Sequence, residues 1–368
     1  VLSLDPMPEL FGNDLPVIRI ENDGKMEVDP TLAPRTAEDL AAFVEDLHES
    51  GIVGLGGAAF PVDWKFDAAL RHNVKTMLIN GAECEPYVTS DNRMMLDHGE
   101  DIRRGIELLK KYVKPDNFVF AIENNKPHAI AAMKELFADD PTMSIVELPS
   151  SYPQGAKQMI LYNALGKVVY AGQRFATLGV IIINVSTLAK VAKFMDTGMP
   201  LVDRVVTVDG SAIKEPKNLL VPIGTPYRYL VEAAGGLKCE PGRVVNGGPM
   251  MGHAVPSLDY PVLKTTGSVL VFSEADSVIH EPTPCIHCGR CVSHCPMNLN
   301  PTAFSDDLEE ENGDKRALLL DRDHVNFCIE CGSCSYVCPA HRPLAENNRA
   351  AKKYLKKYKA DHAEGGKK

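Results

Sequence analysis

The chain has 368 residues, a length that predicts two or three domains. Its 45% hydrophobic and 24% charged residues are ordinary for a globular protein and exclude a wholly disordered chain, a coiled coil and a collagen-like repeat. The net charge of −10 and the 7% aromatic content argue against a nucleic-acid binder. The sequence shows neither a secretory leader pattern nor an apolar run near the roughly 20 residues of a membrane-spanning helix, so we expect a soluble or membrane-peripheral protein.

The N-terminal segment, residues 1–35, is proline-rich and irregular. Within it, the apolar pattern predicts one short strand at residues 17–20, before a turn. Thr36 is then expected to open a helix, with Asp39 at the capping-box position and apolar residues following at helical spacing. Gly51 is placed to end this helix.

A glycine-rich loop follows and reads Gly-Ile-Val-Gly-Leu-Gly-Gly-Ala-Ala-Phe-Pro over residues 51–61. Gly54-x-Gly56-x-x-Ala59 is similar to a dinucleotide-binding fingerprint, but the fingerprint leaves a strand, whereas this loop leaves a helix. On its own, the loop is explained as a connection between helices. Its free backbone N–H groups, next to a helix start at Pro61, also suit a phosphate or a flat ring.

The following part of the chain alternates helices and strands, which predicts a layered α/β domain. Polar loops at 81–87 and 184–187 each follow a buried strand, and open α/β sheets bind ligands at such strand ends. The predicted elements are helix 62–73, strand 76–80, helix 99–112, strand 117–122, helix 127–138, strand 143–147, a helix from about 155 and strand 179–183.

From about residue 201 the pattern changes to short strands between glycine and proline turns, which predicts a small β-rich module. A helical spacer is expected at 300–325. The C-terminal end is rich in lysine, and we interpret it as a solvated face rather than a contact with a membrane surface or a partner.

Eight of the ten cysteines lie in two short runs near the C-terminal end. Each run has the spacing C-x2-C-x2-C-x3-C-P of bacterial ferredoxins that hold two [4Fe-4S] clusters. In that arrangement three closely spaced thiolates hold one cluster, and the fourth cysteine ligates the other cluster. We therefore assign the first cluster to Cys285, Cys288, Cys291 and Cys338, and the second to Cys328, Cys331, Cys334 and Cys295.

A disulfide framework or zinc sites could also account for cysteine-rich runs. Disulfides are typical of small secreted domains, and nothing in the sequence indicates secretion. Zinc ribbons use paired CxxC motifs and need neither a third cysteine nor a following proline. Cys84 and Cys239 lie outside the runs, and each is expected to be a small buried hydrophobic residue.

Four motifs occur in a specific order along the chain. They are the glycine-rich loop, Asn-Gly-Ala-Glu-Cys-Glu-Pro at 80–86, Tyr-Pro-Gln-Gly at 152–155 and the paired cysteine runs. Together they resemble the C subunit of the Rnf electron-transport complex, over about residues 36 to 345. That family is similar to the flavin-bearing, NADH-oxidising subunit of respiratory complex I, and to the A subunit of the sodium-pumping NADH:quinone reductase, which lacks the cysteine runs.

The resemblance implies an α/β fold class with three parts: a layered FMN- and NADH-binding domain, a small β-grasp module of the soluble-ligand-binding type, and an α-helical ferredoxin-like domain with two [4Fe-4S] clusters. The expected boundaries are 1–35 for the remnant of a biotinyl/lipoyl-like β domain, 36–200 for the FMN/NADH domain, 201–270 for the β-grasp module, 275–345 for the cluster domain and 346–368 for a basic tail.

The resemblance also implies a function. The chain would be a peripheral subunit of an ion-transporting ferredoxin–NAD⁺ oxidoreductase at the cytoplasmic face of the bacterial cell membrane. It would exchange hydride with NAD(H) through FMN, which accepts either one or two electrons, and pass single electrons through the two clusters. Its partners would be ferredoxin-like and integral membrane subunits, and ferredoxin indirectly, while the membrane subunits transport sodium ions or protons.

The cofactor site is implied residue by residue. Gly54, Gly56 and Gly57 would lie against FMN and nucleotide. Phe60 would stack near the adenine or nicotinamide ring, and Lys65 would contact phosphate.

Two further loops complete the implied site. Asn80, Glu83 and Glu85 would line the flavin and nicotinamide, with the two glutamates as the catalytic candidates; without the resemblance, these carboxylates would be interpreted as solvated turn residues. Asn184 and Thr187 would hold the flavin phosphate or the ribityl chain.

One departure from the relatives concerns Ala82, where the complex I protein has an acidic residue, so that one ribityl or nucleotide contact is expected to differ.

Two other functions are possible on the sequence alone. A pure iron–sulfur adaptor would hold two clusters without an NADH site, but it would not need 200 residues of α/β fold. A diaphorase subunit of a hydrogenase or formate dehydrogenase would share the flavin site but usually carries a single cluster.

Overall fold

The structure is a computed structural model, and it describes residues 2–8, 14–57, 59–170 and 172–363. The chain forms two compact units. The first comprises Val1–Val169 and Gln173–Ser277, and the second comprises Tyr170–Gly172 and Val278–Lys368.

The first unit begins with an antiparallel hairpin of β1 (Ser3–Pro8) and β2 (Asp14–Arg19). The predicted strand at 17–20 overlaps the end of β2. Helix α1 (Leu40–Glu49) starts later than predicted, because Asp39 is the N-cap and accepts a 2.9 Å hydrogen bond from the Ala42 N–H. Asp39 has extended backbone angles, which exclude it from the helix, so the prediction that Thr36 opens the helix is wrong.

A four-stranded parallel sheet forms the centre of the first unit. Its strands are β3 (Thr76–Gly81), β4 (Asn117–Glu123), β5 (Met143–Leu148) and β6 (Val180–Asn184), in the order β5-β4-β3-β6. The helices of this layer are α2 (Val62–Arg71), α3 (Ser90–Asp97), α4 (Gly99–Tyr112), α5 (Pro127–Leu136), α6 (Lys157–Leu165) and α7 (Val185–Thr197).

Apolar side chains from both faces of this sheet are buried. Met77 and Ile79 pack into one core with the side chains of α1, α2, α4 and α7, while Leu78, between them, packs into a second core with residues of α6. This alternation along each strand, with both faces covered, is what a parallel sheet requires. The predicted layered α/β domain is confirmed.

The strand order places two loops together. After β3 the chain adds β4 and β5 on one side, and it then returns to place β6 on the other side of β3. Ligands bind at such reversals of strand order, outside the carboxyl ends of the strands. Asn80 and Asn184, at the ends of β3 and β6, are register partners at this position.

The first unit also contains a five-stranded sheet, in the order β10-β9-β11-β7-β8. Its strands are β7 (Asp203–Asp209), β8 (Lys217–Pro222), β9 (Pro241–Asn246), β10 (His253–Val255) and β11 (Ser268–Ser273). The pairs are antiparallel except for β11 with β7. Helix α8 (Tyr227–Ala233) buries Tyr227, Leu230 and Val231 in the core of this β-rich module.

The second unit is helical. Its elements are α9 (Arg290–Ser293), α10 (Pro301–Leu308), α11 (Gly313–Arg322), α12 (Ser333–Tyr336) and α13 (Leu344–Ala363). Phe304 and Leu320, from the predicted spacer, pack with Ala351 and Leu355 of α13. The helix α13 is not predicted from the sequence.

The lysines of α13 divide into two kinds. Lys353, Lys356 and Lys357 are exposed, as expected of a solvated face. Lys352 instead forms an ion pair with Glu330 and donates a 2.8 Å hydrogen bond to the Cys328 carbonyl. Along the described ranges, no helix combines the length and the apolar character needed to cross a bilayer.

Candidate cofactor site and cysteine centres

The glycine-rich loop is closed at its base and fixed at its tip. Val53 and Pro61 form a β-bridge, and the Gly54 N–H donates to the Phe60 carbonyl at 2.8 Å. At the tip, the Leu55 N–H donates to Thr187 Oγ1 at 2.9 Å. The loop therefore lies directly on the N-terminus of α7.

Gly56 lies where this loop meets the end of β6. A Cβ at this position would be 3.3 Å from Asn184 Nδ2, so a side chain here would press on the asparagine amide. Asn184 is the N-cap of α7, and its Oδ1 accepts from the Thr187 N–H at 3.1 Å. The predicted residues Gly56, Asn184 and Thr187 are thus brought together.

Asp91, which is absent from the sequence-predicted site, holds Asn184 in place. Asn184 Nδ2 donates to Asp91 Oδ2 at 2.6 Å, and Ser186 Oγ donates to Asp91 Oδ1 at 2.5 Å. Burial raises the pKa of Asp91, while these two hydrogen bonds and the charge of Arg204 oppose the rise. The carboxylate orients the asparagine amide under the glycine loop.

Arg204, from the β-rich module, reaches the same region. It is 3% exposed, and its guanidinium donates to the Leu55 carbonyl at 3.3 Å and to the Lys264 carbonyl. Burial lowers the pKa of Arg204 to about 10, partly offset by Asp91. The β-rich module therefore helps to fix the glycine loop through the Leu55 carbonyl, while α7 holds the Leu55 N–H.

Two lysines lie near the loop without a neutralising acid. Lys65 Nζ donates to the Ile182 carbonyl at 2.8 Å, and burial together with the charge of Lys157 lowers the pKa of Lys65 to about 7. Burial also lowers the pKa of Lys157, whose ammonium lies 5.9 Å from the Phe60 ring centroid. Among the described residues, no carboxylate offsets either shift. Two desolvated ammonium groups beside a glycine loop fit a phosphate group.

Phe60 itself is 42% exposed and meets the exposed Trp64 edge-on, with ring centroids 5.9 Å apart. An exposed aromatic pair beside the loop is open to a stacking ring.

Asn80 positions a second loop. Its Nδ2 donates to the Gly155 carbonyl and its Oδ1 accepts from the Ala82 N–H, both at 3.0 Å. A Cβ at Gly155 would be 2.7 Å from the Ala82 carbonyl oxygen, so only glycine allows this approach. The Tyr-Pro-Gln-Gly motif at 152–155 therefore lies against the loop that follows β3.

Glu83 is directed toward the start of α3. Its Oε1 accepts from Ser90 Oγ at 3.1 Å and from the Asp91 N–H at 2.8 Å, and its Oε2 accepts from the Asn92 N–H at 3.2 Å. A carboxylate at this place satisfies the free N–H groups of the first helical turn. Burial and the nearby Asp91 charge raise the pKa of Glu83 to about 7.

Glu85 connects the loop after β3 to the β-rich module. Its Oε1 accepts from the Met251 N–H at 2.8 Å and its Oε2 from the Met250 N–H at 3.0 Å. We call this arrangement the Glu85 clamp. Both glutamates thus bind backbone amides, which the sequence motif alone did not indicate.

Gly248→Ala is expected to destabilise the first unit by about 1–3 kcal/mol, the usual cost of overpacking. A Cβ at Gly248 would lie 2.3 Å from Glu85 Oε2 and 2.6 Å from Glu85 Cβ, so the Glu85 clamp would have to shift. Chemical denaturation measures the change. Gly99→Ala is the control, because its Cβ would find neighbours only at 3.4 and 3.7 Å. Equal stability of the two variants would contradict the close contact.

An open pocket of about 450 Å³ lies at the carboxyl ends of β3, β4 and β5. Its acidic lining residues are Glu83, Glu85, Glu123 and Asp209, and Lys126 also lines it. Glu123 is 1% exposed, and its Oε2 has no hydrogen-bond partner within the described ranges. Cys84 also lines the pocket, and burial raises the pKa of its thiol to about 11. Carboxylates with free acceptor positions suit hydroxyl groups rather than phosphates.

The cysteines of the second unit fall into two groups that mix the two runs. Burial raises the pKa of Cys291, and the nearby Cys338 and Cys285 raise it further. Burial also raises the pKa of Cys334 to about 12, together with its neighbours Cys328, Cys331 and Cys295. Cys338 of the second run therefore lies near Cys285 and Cys291 of the first run, and Cys295 of the first run lies near Cys328, Cys331 and Cys334 of the second.

The two cysteine groups differ in exposure. Cys295, Cys328, Cys331 and Cys334 line one narrow pocket with Phe304 and other apolar residues. In the other group, Cys288 is exposed. In the described part of the chain, no three histidine, cysteine, aspartate or glutamate side chains lie close enough together to bind one single metal ion. A cubane does not require that convergence, since its irons occupy four corners.

Comparison with known families agrees with this architecture. Residues 47–193 match the Nuo51 FMN-binding domain, residues 205–254 match the SLBB domain and residues 277–339 match the 4Fe-4S dicluster domain. The predicted fold class, an FMN-binding α/β domain with a small β module and a helical iron–sulfur domain, is confirmed.

Solved structures show the same fold. A chain of the NAD⁺-reducing [NiFe]-hydrogenase in the H₂-reduced state superposes with a TM-score of 0.58 at 16% sequence identity, over 87% of this chain and 63% of that one. The air-oxidised state gives a TM-score of 0.58 at 18% identity.

Curated relatives are more similar in sequence. The C subunit of the proton-translocating ferredoxin:NAD(+) oxidoreductase complex of Clostridium ljungdahlii is 38% identical over 358 residues, which cover 95% of this chain and 78% of that protein. The C subunit of the Na(+)-translocating complex of Acetobacterium woodii is 37% identical, over 86% and 72%. The C subunit of the ion-translocating oxidoreductase complex of Yersinia pestis is 38% identical, over 72% of this chain but only 42% of the longer relative. The chain therefore belongs to the family of C subunits of ion-translocating ferredoxin:NAD⁺ oxidoreductase complexes.

Proposed function

We propose that this chain exchanges hydride with NAD(H) through a bound FMN and passes single electrons through two [4Fe-4S] clusters. The observation that carries the proposal is the pair Lys65 and Lys157, two desolvated ammonium groups without an acid, beside a glycine loop in a Nuo51 FMN-binding domain. Bound FMN supplies the exchange between a hydride and single electrons.

The FMN would be held where β3 and β6 end. Lys65 would bind its phosphate through the ammonium hydrogens that the Ile182 carbonyl leaves free. Thr187, whose N–H and hydroxyl are already hydrogen-bonded within the protein, would act through the glycine loop that it fixes. Of the loop glycines, Gly57 would face its ring system, since an added Cβ there would meet nothing within 4 Å, while Gly54 and Gly56 let the loop pack against Phe60 and Asn184. Asn184 is held by Asp91 with its amide toward the loop.

NAD(H) would use the acidic pocket and the exposed Phe60. The free acceptor on Glu123 suits a ribose hydroxyl, and the surrounding carboxylates would repel the 2′-phosphate of NADP(H). Glu83 and Glu85 would act through the loops that they fix, by keeping this pocket in shape.

The clusters would be ligated across the two runs. Cys285, Cys288, Cys291 and Cys338 would hold the first cluster, and Cys328, Cys331, Cys334 and Cys295 the second. The mixed grouping of their thiols supports this assignment over two separate four-cysteine sites.

In its complex the chain would be a peripheral subunit on the cytoplasmic face of the membrane. Its partners would be ferredoxin-like and integral membrane subunits, with ferredoxin as the indirect electron donor or acceptor. We also propose the division into residues 36–200, 201–270 and 275–345 as its functional domains, after an N-terminal segment at 1–35 and before the basic C-terminal segment.

An anaerobic absorbance titration of the cluster-loaded full chain with NADH, with and without added FMN, tests the proposal. We expect NADH to bleach the flavin and cluster bands only when FMN is present, and NADPH at the same concentration to have little effect. If dithionite bleaches the clusters while NADH and FMN together do not, the chain is an iron–sulfur adaptor without its own NADH site.

A further inference from the structure

The side-chain amide of Asn348, on α13, points at two cysteine sulfurs of the second group. Its Nδ2 lies 3.5 Å from Cys328 Sγ and 3.8 Å from Cys334 Sγ. The residue is 1% exposed and lines the same pocket as these cysteines. The amide is therefore within hydrogen-bonding reach of the ligands of one cluster and is shielded from water.

The chemistry of the sulfurs fixes which end of the amide faces them. Ligated thiolates only accept hydrogen bonds, so the NH₂ end is attracted and the oxygen end would be repelled. Asn348 Oδ1 has no hydrogen-bond partner among the residues that the structure describes. Such a buried unpaired oxygen is destabilising, and an apolar side chain would avoid that penalty. What the asparagine offers in place of an apolar residue is the NH₂ group, which can donate hydrogen bonds to the two sulfurs.

The hydrogen bond from a side-chain amide to sulfur distinguishes the two cysteine groups. Each run has the same backbone donor to its first cysteine, from His287 to Cys285 and from Glu330 to Cys328, both at 3.4 Å. Asn348 adds a side-chain amide to the second group. In the first group, the side-chain contact described for the matching sulfur is the His287 ring at 3.9 Å.

We propose that Asn348 raises the reduction potential of the second cluster by donating N–H···S hydrogen bonds to Cys328 and Cys334. Reduction adds negative charge to the cluster and its sulfurs, so a donor stabilises the reduced state more than the oxidised state. The inference rests on the proposed function, because it needs a cluster at these cysteines. Asn348 is a positioning and tuning residue, and it ligates no iron.

An EPR-monitored redox titration of the cluster-loaded full chain tests this role. In Asn348→Leu we expect the midpoint potential of the second cluster to shift to a more negative value, while that of the first cluster stays unchanged. Asn348→Asp is expected to shift it further in the same direction, because a carboxylate both lacks the donor and adds negative charge. Cys288→Ser, which replaces one sulfur ligand of the first cluster by oxygen, is expected to shift the wave of that cluster and so to identify it.

Asn347→Leu is the matched control, since Asn347 lies on the same helix and donates to Ser305 Oγ at 3.1 Å rather than to a sulfur. An unchanged second-cluster potential in Asn348→Leu, or an equal shift in Asn347→Leu, would overturn the inference.

A second measurement does not depend on the variants. Pulsed EPR of the reduced wild-type chain, labelled with ¹⁵N on asparagine side chains, is expected to show hyperfine coupling between a cluster and an amide nitrogen. Absence of that coupling would also overturn the inference. If the wild-type chain shows no [4Fe-4S] signal at all, it is the proposed function that fails.

Discussion

Lys65→Met is expected to weaken FMN binding by at least about 100-fold, because removing one partner of a buried ion pair costs about 3–5 kcal/mol. Methionine keeps most of the length and the apolar stem of lysine, so the loss measures the ammonium. Titration of FMN fluorescence against the apo chain gives the dissociation constant. Lys75→Met is the control, since Lys75 is exposed just before β3 and is expected to leave the affinity unchanged.

The same lysine predicts a pH dependence. Without ligand, the pKa of Lys65 is about 7, so the ammonium loses its charge as the pH rises through that value. Phosphate binds the charged form, and FMN affinity is therefore expected to fall as the pH rises from about 7 to 9, by up to about tenfold per unit. In Lys65→Met this slope should disappear. A slope that persists in the variant would show that another group titrates.

Asp91→Ala is the second change with a large expected effect, a loss of about 3–5 kcal/mol in the free energy of unfolding. The substitution leaves Asn184 and Ser186 without their acceptor and removes the charge opposite the buried Arg204. Denaturation with guanidinium chloride of the chain without FMN measures this loss. Lower FMN affinity is expected to accompany it, because the Asn184 amide is no longer oriented.

The control for Asp91 is on the same helix. Asp97→Ala removes an exposed carboxylate that pairs with Arg93, and such surface pairs contribute about 0–1 kcal/mol. Asp91→Asn keeps the shape of the side chain and one acceptor. Its loss in the free energy of unfolding should therefore lie between those of Asp91→Ala and Asp97→Ala. If Asp91→Ala is no more destabilising than Asp97→Ala, Asp91 does not hold the network together.

Much of the fold could be predicted from the sequence, since most strands of the α/β layer are apolar runs and its longer helices have a clear period. The short α3 (Ser90–Asp97) could not be predicted because its sequence is polar and its first turn is satisfied by the side chain of Glu83, from the preceding loop, rather than by a residue at the usual capping position. The helix α13 has a lysine-rich sequence with alanines on its buried side. Its amphipathic contrast is therefore weak, and packing on α10 and α11 stabilises it.

The site residues that lie in or next to a sequence motif could be predicted. Gly56 belongs to the glycine-rich motif, and the family resemblance implies Lys65 and Asn184 as its companions. Lys65 contacts the end of β6, and Gly56 packs against Asn184 there. Asp91 and Arg204 belong to no motif. They reach the site from 93 and 20 residues away along the chain from Asn184, and only the folded arrangement shows the contact of Asp91. The spacing of the cysteines predicts crossed grouping of the two runs, and the thiols found next to Cys291 and Cys334 agree with that prediction.

Crossed ligation of the two cysteine runs would also govern how the second unit is assembled. Each cluster would join residues from both ends of the segment that contains α10 and α11, so inserting either cluster closes that segment into a loop. Metal binding of this kind is part of the folding free energy. If one cluster is lost, the cysteines of the other cluster are held less firmly in place. Iron starvation should therefore yield chains with both clusters or with neither, rather than a population with one.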